Sequence, residues 1–220
     1  MGFGGRIVKA DNLRAPSIIV KILAWAVLGF SLFSALAQTY WLISYTQLAE
    51  SPYVLVAAGG ASAIASLVFW PSVIAVLIWV YLAHANLHRA GLTGLNYSPA
   101  WATFSFLVPI ANLVVPYLAM RELANRSAGE PEELAGADVD EVFSWWGCWI
   151  GSMIFGLVVF YTLFVDLLPG IWVTTPFWAT QGVGILTHIL TAGSAFFLIK
   201  VVTMITRSQM QGASAIAAFE

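Results

Sequence analysis

The chain has 220 residues, of which 60% are hydrophobic and only 9% charged, and its mean hydropathy is +0.85. A soluble domain carries about 25% charged residues, so the charge here cannot cover a water-facing surface, and the solvent for most of the chain is lipid. The net charge of −2 offers no field for nucleic acid, and the single cysteine, Cys148, excludes an internal disulfide and a cysteine metal cluster.

Residues 1–21 form a polar segment with four of the nine Lys and Arg, namely Arg6, Lys9, Arg14 and Lys21. Met1-Gly2 fails the myristoylation pattern because Arg6 stands where Ser or Thr is required. Ala35-Leu36-Ala37 resembles a signal-peptidase site, but the apolar run continues through Tyr40, Trp41, Leu42 and Ile43, so a retained helix is expected. The first span is Ile22 to Ile43, 22 residues without a charge, where about 20 are needed to cross.

The second span lies within Ala61 to Ala85, with Pro71 expected to kink it. This helix should run on into water through His84, Asn86, His88 and Arg89 and stop at Gly91. The small residues Ala57, Gly59, Gly60, Ala61, Ala63 and Ala65, like Gly147-x-x-x-Gly151, permit close helix approach, with internal packing preferred over self-association.

Trp101 to Met120 is apolar and long enough to cross, yet Pro109 and Pro116 interrupt it with Asn112 between them. An interior proline removes a backbone hydrogen bond and clashes with the preceding turn. The segment is therefore expected as a pair of short helices or a re-entrant hairpin, tolerable at membrane depth only if packed in protein or lining a wet cavity.

Residues 121–142 form an acidic loop with Glu130, Glu132, Glu133, Asp138, Asp140 and Glu141. Phe143 to Leu168 is the next span, opened by Trp145, Trp146 and Trp149 at the expected headgroup level. Pro169 to Gln181 is a short loop with Trp172, Pro176 and Trp178, Gly182 to Ile205 is the last span, and 207–220 is a tail. The expected fold is all-α and polytopic: one helical membrane domain over 22–206, with four transmembrane helices plus a proline-broken re-entrant segment.

Charge chooses between this topology and five spans. If 101–120 crosses, five cations lie inside and four outside; if it dips and returns, all nine lie on one side with both termini. The positive-inside rule favours the second, with a cytoplasmic N-terminus in a bacterial inner (plasma) membrane.

An ordered set of strings carries a resemblance: Ala83-His84-Ala85-Asn86-Leu87, Ser98-Pro99-Ala100-Trp101-Ala102, Phe106-Leu107-Val108-Pro109-Ile110-Ala111-Asn112-Leu113, Pro116-Tyr117-Leu118-Ala119-Met120-Arg121-Glu122-Leu123, and Trp145-Trp146. Over roughly Trp79 to Trp149, with the last helix included, the chain resembles the bacterial membrane family known as domain of unknown function 4328. The first helix and the Pro169 to Gln181 loop lie outside the resemblance. It implies a small multi-helix membrane protein of actinobacteria or proteobacteria and no particular activity.

Few residues could carry chemistry. Asn112 is an amide in hydrocarbon, costly unless paired; with Pro109 and Pro116 it either forms a polar intramembrane site or pins the break. His84 and His88 share a helix face at i, i+4 and could begin a metal site with Glu122, although an interfacial pair is preferred. Glu122 is expected to pair with Arg126, and Arg121 to meet phosphates. His188, within the last span, is a functional hypothesis by its position, against a packing role. Asp166 reads as a solvated helix end. No nucleophile–base set, phosphate loop or nucleotide motif is present, so neither an enzyme nor a cofactor is expected. The expected role is an accessory or structural membrane component that binds lipid, other membrane proteins or itself. A small transport or channel module built on 101–122 is the alternative.

Overall fold

Long charge-free runs make helices here because a backbone in lipid must satisfy its own hydrogen bonds. The computed structural model describes residues 10–48, 52–166 and 175–217, and among these there is no strand. The helices are α1 (Arg14–Leu48), α2 (Pro52–Arg89), α3 (Pro99–Phe104), α4 (Val115–Ser127), α5 (Asp140–Asp166) and α6 (Phe177–Ala217). Four of them contain stretches long and apolar enough to cross a membrane: Arg14–Ser44, Leu67–Arg89, Asp140–Thr162 and Phe177–Gly212. The chain is a multi-pass helical membrane protein with four such spans, and 101–120 is not among them.

Helix ends differ from expectation in an instructive way. α1 begins at Arg14 rather than after Lys21, and α6 runs from Phe177 to Ala217, taking in residues expected as loop and tail. Hydropathy marks the part of a helix that needs lipid; the helix continues for as long as its backbone bonds do. α2 continues in helical form through Pro71. Its stop is as expected: Gly91 takes φ 75°, and the N–H groups of Gly91 and Leu92 donate back to the carbonyls of His88 and Leu87. α4 ends the same way at Gly129.

The chain divides into two compact units. The first comprises Met1–Ile22, Ser72–Phe143 and Phe197–Glu220. Its core is large and apolar, with Leu13, Trp79, Val80, Met120, Leu123, Val142, Val201, Val202 and Ile205 almost fully buried. The second comprises Leu23–Pro71 and Ser144–Phe196, and its buried residues are mostly small: Ala24, Ser31, Ala35, Ser152, Ala192, Ser194 and Ala195. There a Cβ on Gly151 would lie 3.1 Å from Leu190, and one on Gly193 3.0 Å from Cys148. Helices pressed together in lipid lack a hydrophobic drive and rely on such close contact. Gly147 is exposed with open space around it, so the Gly147-x-x-x-Gly151 pair splits, one glycine packing inward and one facing out.

Two expectations need correction. Trp145 and Trp146 are buried in the protein, and Trp149 stacks on Phe69, 6.4 Å between centroids; among the described residues the exposed tryptophans are Trp25, Trp70, Trp101 and Trp178. His84 and Asn86 are not solvated but buried. Pro169 and Trp172, together with the side chains of Asp166 and of Ala57 to Ala65, lie outside the described residues.

Packing at Gly151 is directly testable. Gly151→Leu overfills the contact with Leu190 and is expected to cost about 1–3 kcal/mol, read as a lower Tm in detergent. Gly147→Leu is expected to leave Tm unchanged.

Candidate functional site

The polar side chains of the first unit converge on α4. Pro116 stands in its first turn, where a missing N–H costs nothing. The helix then presents Arg121, Glu122, Asn125 and Arg126 within two turns. Each holds a loop. Glu122, 2% exposed, accepts three hydrogen bonds: from the Asn96 N–H and the Asn96 amide at 2.8 Å each, and from the Tyr97 N–H at 3.2 Å. Asn125 donates to the carbonyls of Ala135 and Ala137 at 3.1 and 2.9 Å. Arg126 donates to the carbonyls of Glu130 and Thr93, and Arg121 pairs with Asp138 at 2.8 Å while lying over the Tyr117 ring. The expected Glu122–Arg126 pair is not what forms, because backbone N–H groups of the 90–98 loop reach the carboxylate and satisfy it in place of a guanidinium. Burial, then the Glu122 charge, raise the Tyr97 hydroxyl above its ordinary pKa, with Arg121 pulling the other way.

A second network ties helix ends together. Asn12 and Asn86 exchange reciprocal amide hydrogen bonds at 3.0 Å. Asn86 also donates to Gln209, and Gln209 donates to the Ala83 carbonyl and to Ser127. Trp79 donates to Thr206 at 3.1 Å. The start of α1, the ends of α2 and α4 and the last turns of α6 thus meet at one place.

The two histidines are held by different hydrogen bonds. His84, 1% exposed, donates Nδ1–H to the Val80 carbonyl at 3.0 Å, and its Nε2 is buried without a partner. His88 is exposed and donates Nε2–H to the Tyr97 carbonyl at 3.0 Å. Among the described residues, no three His, Cys, Asp or Glu side chains converge on a metal position.

Around the prolines the helix is broken, as expected. After α3 come 3₁₀ turns at Ser105–Leu107 and Ala111–Leu113, and then α4, which packs back on α3. Ser98 caps α3 by accepting from the Trp101 N–H. The Asn112 N–H donates to the Val108 carbonyl at 2.7 Å, while its Oδ1 is buried and unpartnered. Pro109 lies exposed at the tip and Pro116 is buried at the return.

Asn112, Pro109, Pro116, Glu122, His84 and His88 all belong to the first unit, and His188 to the second. There the Gln38 amide donates to His188 Nε2 at 3.2 Å, and the Gln38 Oε1 is buried and unpartnered. Gly184 leaves the room that this amide occupies. Gln38 was missed from sequence although it is a lone amide in a charge-free span, which is a readable signal. Asn125 and Gln209 carry no such signal.

Glu122→Ala strands the Asn96 and Tyr97 donors and is expected to cost about 3 kcal/mol, since a hydrogen bond to a charge contributes roughly 1.5–3. Glu122→Gln, which keeps one acceptor, should lose less. Thermal unfolding, with limited proteolysis of the 90–98 loop, checks the order.

No curated protein and no solved structure matches the chain. A family profile described as domain of unknown function 4328 matches residues 46–207. The match is wider than the Trp79 to Trp149 stretch and takes in residues 169–181, leaving the first span outside. With most of its length matched, the chain belongs to the family of domain of unknown function 4328 (DUF4328).

Proposed function

We propose that this protein is an accessory or structural component of the bacterial inner membrane, without catalytic activity, that binds lipid and other membrane proteins or further copies of itself. The observation that carries this reading is the use made of α4. Arg121, Glu122, Asn125 and Arg126 are all engaged in holding neighbouring loops, which is the chemistry of a scaffold.

The orientation follows from charge. Every Lys and Arg among the described residues falls in the first unit. The positive-inside rule then makes the cation-bearing segments cytoplasmic, with the N-terminus, the acidic loop and the C-terminus on the same side and 101–120 entering as a re-entrant hairpin. The hydrogen-bonded meeting of Asn12, Asn86, Ser127 and Gln209 supports the same arrangement.

One observation favours a small transport or channel module as a second reading: the buried, unpartnered Oδ1 of Asn112 in the broken segment.

Two experiments bear on this. In a Cys148→Ser background, Glu133→Cys is expected to stay unlabelled by an impermeant maleimide in intact cells, while Thr175→Cys labels; labelling at Glu133→Cys would overturn the orientation. In proteoliposomes, the wild type is expected to pass potassium ions and protons no faster than empty liposomes. Flux that Asn112→Ala abolishes, with folding intact, would establish the transport reading instead.

A further inference from the structure

The α3–α4 hairpin is built inside out. On its descending limb, Pro99 to Leu107, the fully buried residues are Ala102 and Ser105, while Trp101, Phe104 and Leu107 are exposed. At the tip Val108, Ile110, Leu113 and Val114 are exposed too, Ile110 at 83%. A hairpin folded for water would turn its large apolar groups inward and its small or polar ones outward. No residue from Ala100 to Met120 is charged.

Part of the backbone at the tip is satisfied internally. Pro109 has no N–H to satisfy, and the N–H groups of Asn112, Leu113 and Val114 donate to the carbonyls of Val108, Ile110 and Ala111. Internal pairing of this kind lowers the cost of carrying that backbone into the bilayer.

The reach of the hairpin limits its depth. Six residues of α3 at 1.5 Å each and three of 3₁₀ helix at about 2 Å give a limb of roughly 15 Å. The hydrocarbon core is about 30 Å thick. The limb therefore reaches no farther than the middle of the bilayer.

We infer that Phe104 to Val114 is a lipid-binding wedge, seated among the phospholipid acyl chains of the single leaflet from which the hairpin enters. Trp101, exposed near the base, sits at headgroup depth, the level that suits an indole. Arg121, at the far end of the return, marks the charged boundary. A protein partner is disfavoured because the side chains of Phe104, Leu107, Val108, Ile110, Leu113 and Val114 offer no hydrogen-bonding group, and a specific interface carries a polar rim. The inference rests on the four-span reading, which fixes the side from which the hairpin enters.

The test attaches a pyrene maleimide to Ile110→Cys in the full-length Cys148→Ser chain, reconstituted in phospholipid vesicles. Phe160→Cys, exposed on a span, is the lipid-facing control, and a native elution profile confirms folding. Nitroxide groups on lipid acyl chains are expected to remove most of the Ile110→Cys emission, as at Phe160→Cys, while aqueous iodide leaves it. No pyrene excimer is expected at high lipid dilution. Iodide quenching without nitroxide quenching would place the tip in water and overturn the wedge. An excimer, or insensitivity to both quenchers, would place it against a second copy or inside protein and overturn it equally. The topology fails separately: outside labelling of Glu133→Cys together with nitroxide quenching of Ile110→Cys would sink the four-span reading, and the single-leaflet wedge with it, and leave only the lipid contact.

Discussion

A buried carboxylate must be surrounded by donors or it does not stay buried. Glu122 meets that condition with two backbone N–H groups and one amide from a loop that precedes it by some 25 residues. Those bonds fix the 90–98 loop on α4, and the neighbouring side chains fix the acidic loop on the other side. A hairpin with an apolar tip can project from this base because its root is held by hydrogen bonds and one ion pair, leaving its large side chains free to meet lipid.

The division of the chain into a polar unit and an apolar one follows the same physics. The first unit contains all the cations among the described residues, a large apolar core and the amide network joining Asn12, Asn86 and Gln209. Direct amide contacts across such distances in sequence, 74 and 123 residues, bring those helix ends to one place. The second unit has only Glu50 and Asp166 as formal charges and packs through glycine, alanine and serine. Among its described residues the Gln38–His188 contact pins two spans together in a medium that offers amides no water.

The spans were legible in the sequence because lipid demands length and apolarity, and both can be counted. The break at Pro109 and Pro116 was legible because proline acts locally. The stop at Gly91 was legible for the same reason. What could not be read is whatever depends on partners distant in sequence. Nothing local to Glu122 announces that its donors come from Asn96 and Tyr97, and the i, i+4 spacing pointed instead to Arg126. His84 and Asn86 looked like the solvated end of a helix, since their cover comes from other parts of the chain. Trp145 and Trp146 were placed by composition at the headgroups, whereas packing turned them inward.

The central claim is that the ends of α2 and α6 meet on one side of the membrane, as four spans require and five forbid. Paired cysteines at Asn86→Cys and Gln209→Cys, in the Cys148→Ser chain and oxidised in native membranes, test it most directly. The account predicts an intramolecular disulfide that is lost when the protein is unfolded before oxidation. No disulfide, under conditions where Gly151→Cys paired with Leu190→Cys does cross-link, would place the two ends on opposite faces and contradict the account.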